Sequence, residues 1–197
     1  MHMTTRSKLL LILGCLFAGI CSNGNAQAIS ESAPNSLSVA LTYRETMANA
    51  VGGYGFWMHG GSAQLVDRPW RQLEIVADVA GQHAGATHDP SIGLDLVTMT
   101  FGPRYTWSPV GTRVSIFGET LLGEAIGLHS LFPSATGATS SSHSLALQLG
   151  GGINLPVSRR LSIRAFEADW LRTQLPNATT GAQNNLRLGA GIIYRIR

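Results

Sequence analysis

The chain has 197 residues, of which 13% are charged, with a formal net charge of +3 and a single lysine, Lys8. Charge this sparse, with no basic cluster, argues against a nucleic-acid surface and is about half the share usual in soluble domains. Both cysteines, Cys15 and Cys21, fall near the N-terminus, which excludes a disulfide framework or thiolate metal site from the rest of the chain.

Residues 1–28 read as a secretory signal peptide. Arg6 and Lys8 supply the positive start, Leu9 to Ile20 the apolar run, and Ala26-Gln27-Ala28 the small-residue cleavage site. Neither cysteine is well placed for a lipoprotein signal, because Cys15 leaves almost no apolar run before it and Ile20 precedes Cys21. Cleavage would remove both cysteines and leave twelve basic residues, all arginine, against eleven acidic ones, a net +1. Beyond residue 28 no apolar run approaches the ~20 residues that a spanning helix needs. An exported chain without such a helix is periplasmic, secreted or an outer-membrane barrel.

In chain order, residues 29–36 are expected to form an extended periplasmic segment and 37–197 one barrel domain. The first strand runs from Leu37 to about Arg44, with Leu37, Val39, Leu41 and Tyr43 alternating with Ser38, Ala40, Thr42 and Arg44. A Gly/Ala-rich loop over 45–57 leads to a strand from Met58 to Val66, and the Asp67–Trp70 turn contains Pro69, which cannot continue a ladder. The third strand, Arg71 to Gly81, carries Glu74 and Asp78 on its polar face. A loop over 82–91 leads to the fourth strand, Gly93 to Trp107, and a turn over 108–112 to the fifth, Arg113 to Ala125, whose facing the pattern leaves open. A Ser/Thr/Gly loop is expected over 127–143. The sixth strand, Ser144 to Asn154, turns through 155–160 into the seventh, Leu161 to Leu171, on which Arg164 falls on the apolar face as a snorkelling side chain. A loop over 172–184 precedes the closing strand, Asn185–Arg197, which places Leu186, Leu188, Ala190, Ile192, Tyr194 and Ile196 on one face and Arg187, Arg195 and Arg197 on the other.

Eight strands joined by connections that alternate long and short predict an all-β, antiparallel, up-and-down transmembrane β-barrel with long loops outside and short turns in the periplasm. Tyr43, Trp57, Trp70, Tyr105, Trp107, Trp170 and Tyr194 lie where an interfacial aromatic girdle would. The competing reading is a soluble exported barrel that holds a small apolar ligand inside, lipocalin-style. The two readings invert the barrel. In a membrane, arginine at Leu188 costs ~2–4 kcal/mol and Arg187→Leu strands a buried carboxylate; in a soluble barrel Leu188 is core and Arg187 a surface group.

The stretch Asn184-Asn-Leu-Arg-Leu-Gly-Ala-Gly-Ile-Ile-Tyr-Arg195, preceded by Arg164-Ala-Phe-Glu-Ala-Asp-Trp-Leu171, resembles the C-terminal half of small, largely uncharacterised OmpA-like outer-membrane β-barrel proteins. Gly60-Gly-Ser-Ala63, Val76-Ala-Asp-Val-Ala-Gly81 and Phe101-Gly-Pro-Arg-Tyr105 are similar to strands two to four of that family. The resemblance covers roughly residues 37–197. It implies a porin-like cell-envelope protein of a Gram-negative outer membrane, inserted by the barrel-assembly machinery. Such chains usually end on an aromatic assembly signal, and this one departs from that with Tyr194-Arg-Ile-Arg197.

A barrel of eight strands is filled by side chains, and Glu74, Asp78, Arg104, Glu119, Glu167, Asp169, Arg187 and Arg195 are the candidates for a structural polar lumen. Asp169 or Glu167 is expected to meet Arg187. A gated ion path or proton relay is the functional alternative. His83, His88 and Asp89 have spacing that a weak metal site could use, and His129-Ser130 and His143-Ser144 invite a lipid-hydrolase reading, but no nucleophile elbow accompanies them. Asn177-Ala-Thr179 matches a glycosylation pattern. The expectation is therefore a monomeric, non-enzymatic protein without cofactor, metal or catalytic residues. Its partners are outer-membrane lipid and the assembly machinery, with any extracellular ligand held by four long loops.

Overall fold

The computed structural model describes residues 35–49, 55–87, 92–134, 137–176 and 181–197. The expected signal peptide over 1–28, residues 29–34, His88, Asp89, Asn177 and Thr179 lie outside the described residues. Eight strands form one closed antiparallel barrel in which every strand pairs with its sequence neighbours and the last closes on the first. They are β1 (Ser36–Asn49), β2 (Gly55–Arg68), β3 (Leu73–Ala84), β4 (Leu94–Trp107), β5 (Ser115–Ser134), β6 (Gly137–Pro156), β7 (Leu161–Thr173) and β8 (Gln183–Arg195). β8 runs opposite β1 with Leu41 facing Ile192 and Arg44 facing Gly189.

Alternation sets the facing of every strand. Leu41, Leu65, Val79, Met99, Phe101, Leu122 and Ile192 point outward and are exposed, while Arg44, Gln64, Asp78, Arg104, Glu119 and Gln148 point inward and are buried. β5, which pattern left open, turns Ser115, Phe117, Glu119 and Leu121 inward. An apolar outside around a charged inside is the reverse of a ligand-binding soluble barrel.

Two expectations are corrected. Most of 127–143, expected as a long loop, is ladder: β5 and β6 continue as a hairpin, with Ile126 facing His143 and Pro133 facing Ala138. Composition misleads here because a hairpin that extends past the apolar belt needs no apolar face, and threonine suits a strand. Arg164, expected on the apolar face, is fully buried inside. The register shifts between Arg164 and Glu167 opposite β8 and between Ile153 and Asn154 opposite β7. An extra residue in one strand reverses the phase of alternation, so Arg164 and Glu167 share the inner face across an odd spacing.

Inward glycines make room for this interior. A β-carbon at Gly150 would stand 1.8 Å from Asp169 Oδ1 and 2.9 Å from the Ala168 carbonyl. Gly150→Ala should therefore lower unfolding free energy in a urea titration by about 1–3 kcal/mol, the usual cost of overpacking. Gly81→Ala, whose β-carbon meets nothing within 4 Å, should stay within about 0.5 kcal/mol.

Candidate functional site

The interior is built from ten charges. Arg44, Arg68, Arg104, Arg164 and Arg187 are buried together with Glu74, Asp78, Glu119, Glu167 and Asp169, so the buried charges balance one for one. An unpaired charge in such a place costs several kcal/mol, and pairing with good geometry is what keeps it there.

Arg44 of β1 is the hub. Its guanidinium reaches Asp78 Oδ2 of β3 at 3.0 Å, Glu167 Oε1 of β7 at 2.6 Å and Asp169 Oδ2 at 3.6 Å. Arg104 of β4 donates through Nε to Glu119 at 2.8 Å and through Nη2 to Gln64 Oε1 at 2.7 Å. Arg164 pairs with Glu167 and donates to Gln64 at 2.7 Å. The Phe117 ring lies between the guanidinium carbons of Arg104 and Arg164, 4.3 and 4.8 Å from its centroid, where its π-face favours cations. Nearer the end where β1 begins and β8 ends, Arg68 pairs with Glu74.

The structure brings seven of the eight expected lumen residues into this interior. Arg187 faces Asp169 across β7–β8, but its guanidinium donates to Gln148 Oε1 at 3.1 Å and Thr98 Oγ1 at 3.2 Å. Gln148 in turn donates to Glu119 and Asp169, at 3.0 and 3.3 Å. Arg195 is only half-buried. It lines the mouth where β1 begins and β8 ends with Arg68, Arg159 and Arg160, and its Nη1 donates to the Arg159 carbonyl at 3.4 Å. Sequence reasoning missed Arg44, Arg68, Arg164, Gln64 and Gln148. Arg44 and Gln148 already stood on the polar phase of their strands; Arg68 was assigned to a turn, and Arg164 was hidden by the bulge.

The end of the lumen nearer the β5–β6 hairpin is apolar. Ala48, Met58, Ala84, Leu94, Leu96, Ala125, Phe132, Ala146, Leu171 and Leu175 form one buried cluster. Phe132 reaches it from beyond the irregularity between Leu128 and Phe132, and Gly127 leaves room for its ring, 2.4 Å from where a β-carbon would be.

All seven expected girdle aromatics are outward, with Trp70 the most exposed at 61%. Tyr43 stands at mid-strand rather than at an end, and its hydroxyl donates to Glu45 at 2.6 Å. Above the apolar belt, Asp95 lies between two imidazoles: hydrogen bonds from His83 and then His129 hold its carboxyl below the usual carboxylate range. His143 Nδ1 is 2.9 Å from Glu124 Oε1, while Ser144 is next in the strand and so projects to the other face; the two do not form a nucleophile–base pair. Among the described residues no group of three His, Cys, Asp or Glu could hold a metal ion.

No family model matches the chain, and no curated protein does. Solved structures do. Neisserial surface protein A (NspA) superposes with a TM-score of 0.63 at 15% identity, covering 80% of this chain and 96% of its own. Yersinia pestis Ail, crystallised with the heparin analogue sucrose octasulfate, gives 0.57 at 19% identity over 83% and 100%. Pseudomonas aeruginosa OprG gives 0.50 at 9% identity over 85% and 99%. The fold is that of the small outer-membrane β-barrels.

Replacing Arg44 with methionine removes the partner shared by Asp78, Glu167 and Asp169. Arg44→Met should cost about 3–5 kcal/mol in a denaturant titration, the usual effect of breaking a buried ion pair, whereas Arg172→Met, at an exposed position, should change stability by less than about 0.5 kcal/mol.

Proposed function

We propose that this protein is an integral outer-membrane barrel with no catalytic role, which holds a filled, charge-neutral lumen and offers its external end as an interaction surface. The observation that carries this reading is the inversion of faces: apolar side chains outside, balanced ion pairs within. Lipid is then the solvent of the outer face. The lumen is packed rather than open, with arginines at the periplasmic mouth and an apolar plug at the other end, which disfavours a steady ion path. Eight strands close the sheet without a free edge, so a monomer is self-sufficient.

Surface contact would fall to the external connections and above all to the β5–β6 hairpin, whose strands of 20 residues each outreach the 12 to 14 residues of the others. Residues 1–28 would direct export, and the assembly machinery would insert the barrel. The fold likeness to NspA and Ail supports the membrane setting, and any ligand at the hairpin is this protein's own question.

Cysteine labelling on intact cells tests both the location and the orientation. Ser140→Cys, in the hairpin, should react with a membrane-impermeant maleimide, and Val110→Cys, in the β4–β5 turn, should react only after the outer membrane is breached; the unsubstituted chain provides the baseline. Equal labelling of both variants on intact cells would contradict the proposal.

A further inference from the structure

The four described histidines, His59, His83, His129 and His143, all stand on the outer face towards the external end. Carboxylates are interleaved with them around the barrel. The register sets Glu45 of β1 opposite His59 of β2, His59 opposite His83 of β3, and His83 opposite Asp95 of β4. His83 and His129 place Nδ1 against different oxygens of Asp95, at 2.5 and 2.6 Å. The β5 bulge that brings His129 there holds it at φ 55°, a left-handed conformation that a non-glycine residue keeps only where its surroundings enforce it.

A carboxylate accepts hydrogen bonds and does not donate them, so Nδ1 carries the proton in both rings. Further proton uptake then falls on Nε2, and the side chains of His83 and His129 are 62% and 78% exposed. Imidazole gains its charge in the range between about pH 5 and 8. Among the described residues, the other charged groups on this outward rim are Glu45, Asp95 and Glu124 with Arg172 of β7, while strands β2, β3 and β6 contribute only histidines and β8 none. With neutral imidazoles the rim carries −2; with all four protonated it carries +2. Val79 and Val97 lie on the same face just inside this level, and Trp57 lies one outward position beyond His59, so the rim is at headgroup depth.

We propose that His83, Asp95 and His129 form a proton-gated binding site for the phosphate groups of outer-leaflet lipids. The inference rests on the membrane reading above. Asp95 holds the two rings side by side and, while they are neutral, repels an anionic headgroup. Once both are protonated, two Nε2–H groups face outward as charge-assisted donors to phosphate oxygens. Headgroup depth and an outward facing select a lipid phosphate over a soluble one.

The test uses the refolded full barrel in phosphatidylcholine vesicles with trace spin-labelled phosphatidylglycerol or phosphatidylcholine, comparing association of the two labels. Arginine keeps its charge throughout, so the periplasmic rim contributes equally at every pH, and the pH-dependent part reports the histidines. From about pH 8 to about pH 5.5 the preference for phosphatidylglycerol should rise about fivefold in the wild type and by much less in the H83Q/H129Q double variant, which keeps only His59 and His143 on the rim. Added inorganic phosphate should leave the preference in place. A flat wild type, an equal rise in the double variant, or abolition by free phosphate would each overturn the site. A heat-shift gel on the same vesicles separates the two claims: protein that fails to insert overturns the membrane reading and the proposal with it, whereas inserted protein without pH-dependent preference overturns the lipid site alone.

Discussion

The structure depends on the neutrality of its buried charge. Five guanidiniums and five carboxylates are enclosed by the strands, and Arg44 ties β1 to β3 and β7 across the barrel. Without it Asp78 would lose its guanidinium partner, while Glu167 would be left to Arg164 and Asp169 to Gln148. Arginine is suited to this work because its planar fork can serve two acceptors at once and does not lose its proton. The absence of lysine from the whole chain after Lys8 follows the same logic, since the interior needs bridging forks rather than point charges.

Inverting the faces also gives the barrel an axis with unlike ends. Permanent positive charge gathers at the mouth where β1 begins and β8 ends, in Arg68, Arg159, Arg160 and Arg195. The opposite end is plugged by apolar side chains inside and ringed by histidine–carboxylate pairs outside. The β5 bulge is common to both features of that end. Phe132 beyond it is buried in the plug, and His129 within it stands outward beside Asp95. Bulges recur where a side chain must be re-aimed, and here one irregularity serves two faces.

Eight strands, their order and the facing of most of them were legible in the sequence, because a period of two over ~9–11 residues leaves little else for an exported chain to form. The strand ends were less so. Residues 127–143 read as a loop because a ladder exposed to water on both faces has no apolar stripe to betray it. Within the interior, Glu74 and Asp78 followed from alternation alone, whereas Glu119 stands on β5, whose facing the pattern leaves open. Arg164 did not, since a bulge that reverses phase leaves no mark in composition. The choice of partners was also hidden: Arg187 faces Asp169 yet bonds to Gln148 and Thr98, because side-chain reach across a narrow lumen, rather than strand adjacency, decides who meets whom. The histidine ring was invisible for a similar reason, as its members come from strands far apart in sequence.

The central claim is that the charged face is inside and lipid is outside. Membrane fractionation followed by gel electrophoresis of unboiled and boiled samples in SDS tests it most directly. The account predicts recovery with the outer membrane and a mobility shift on boiling, the behaviour of a closed barrel that resists detergent. Recovery in the soluble periplasm, with identical mobility before and after boiling, would contradict it.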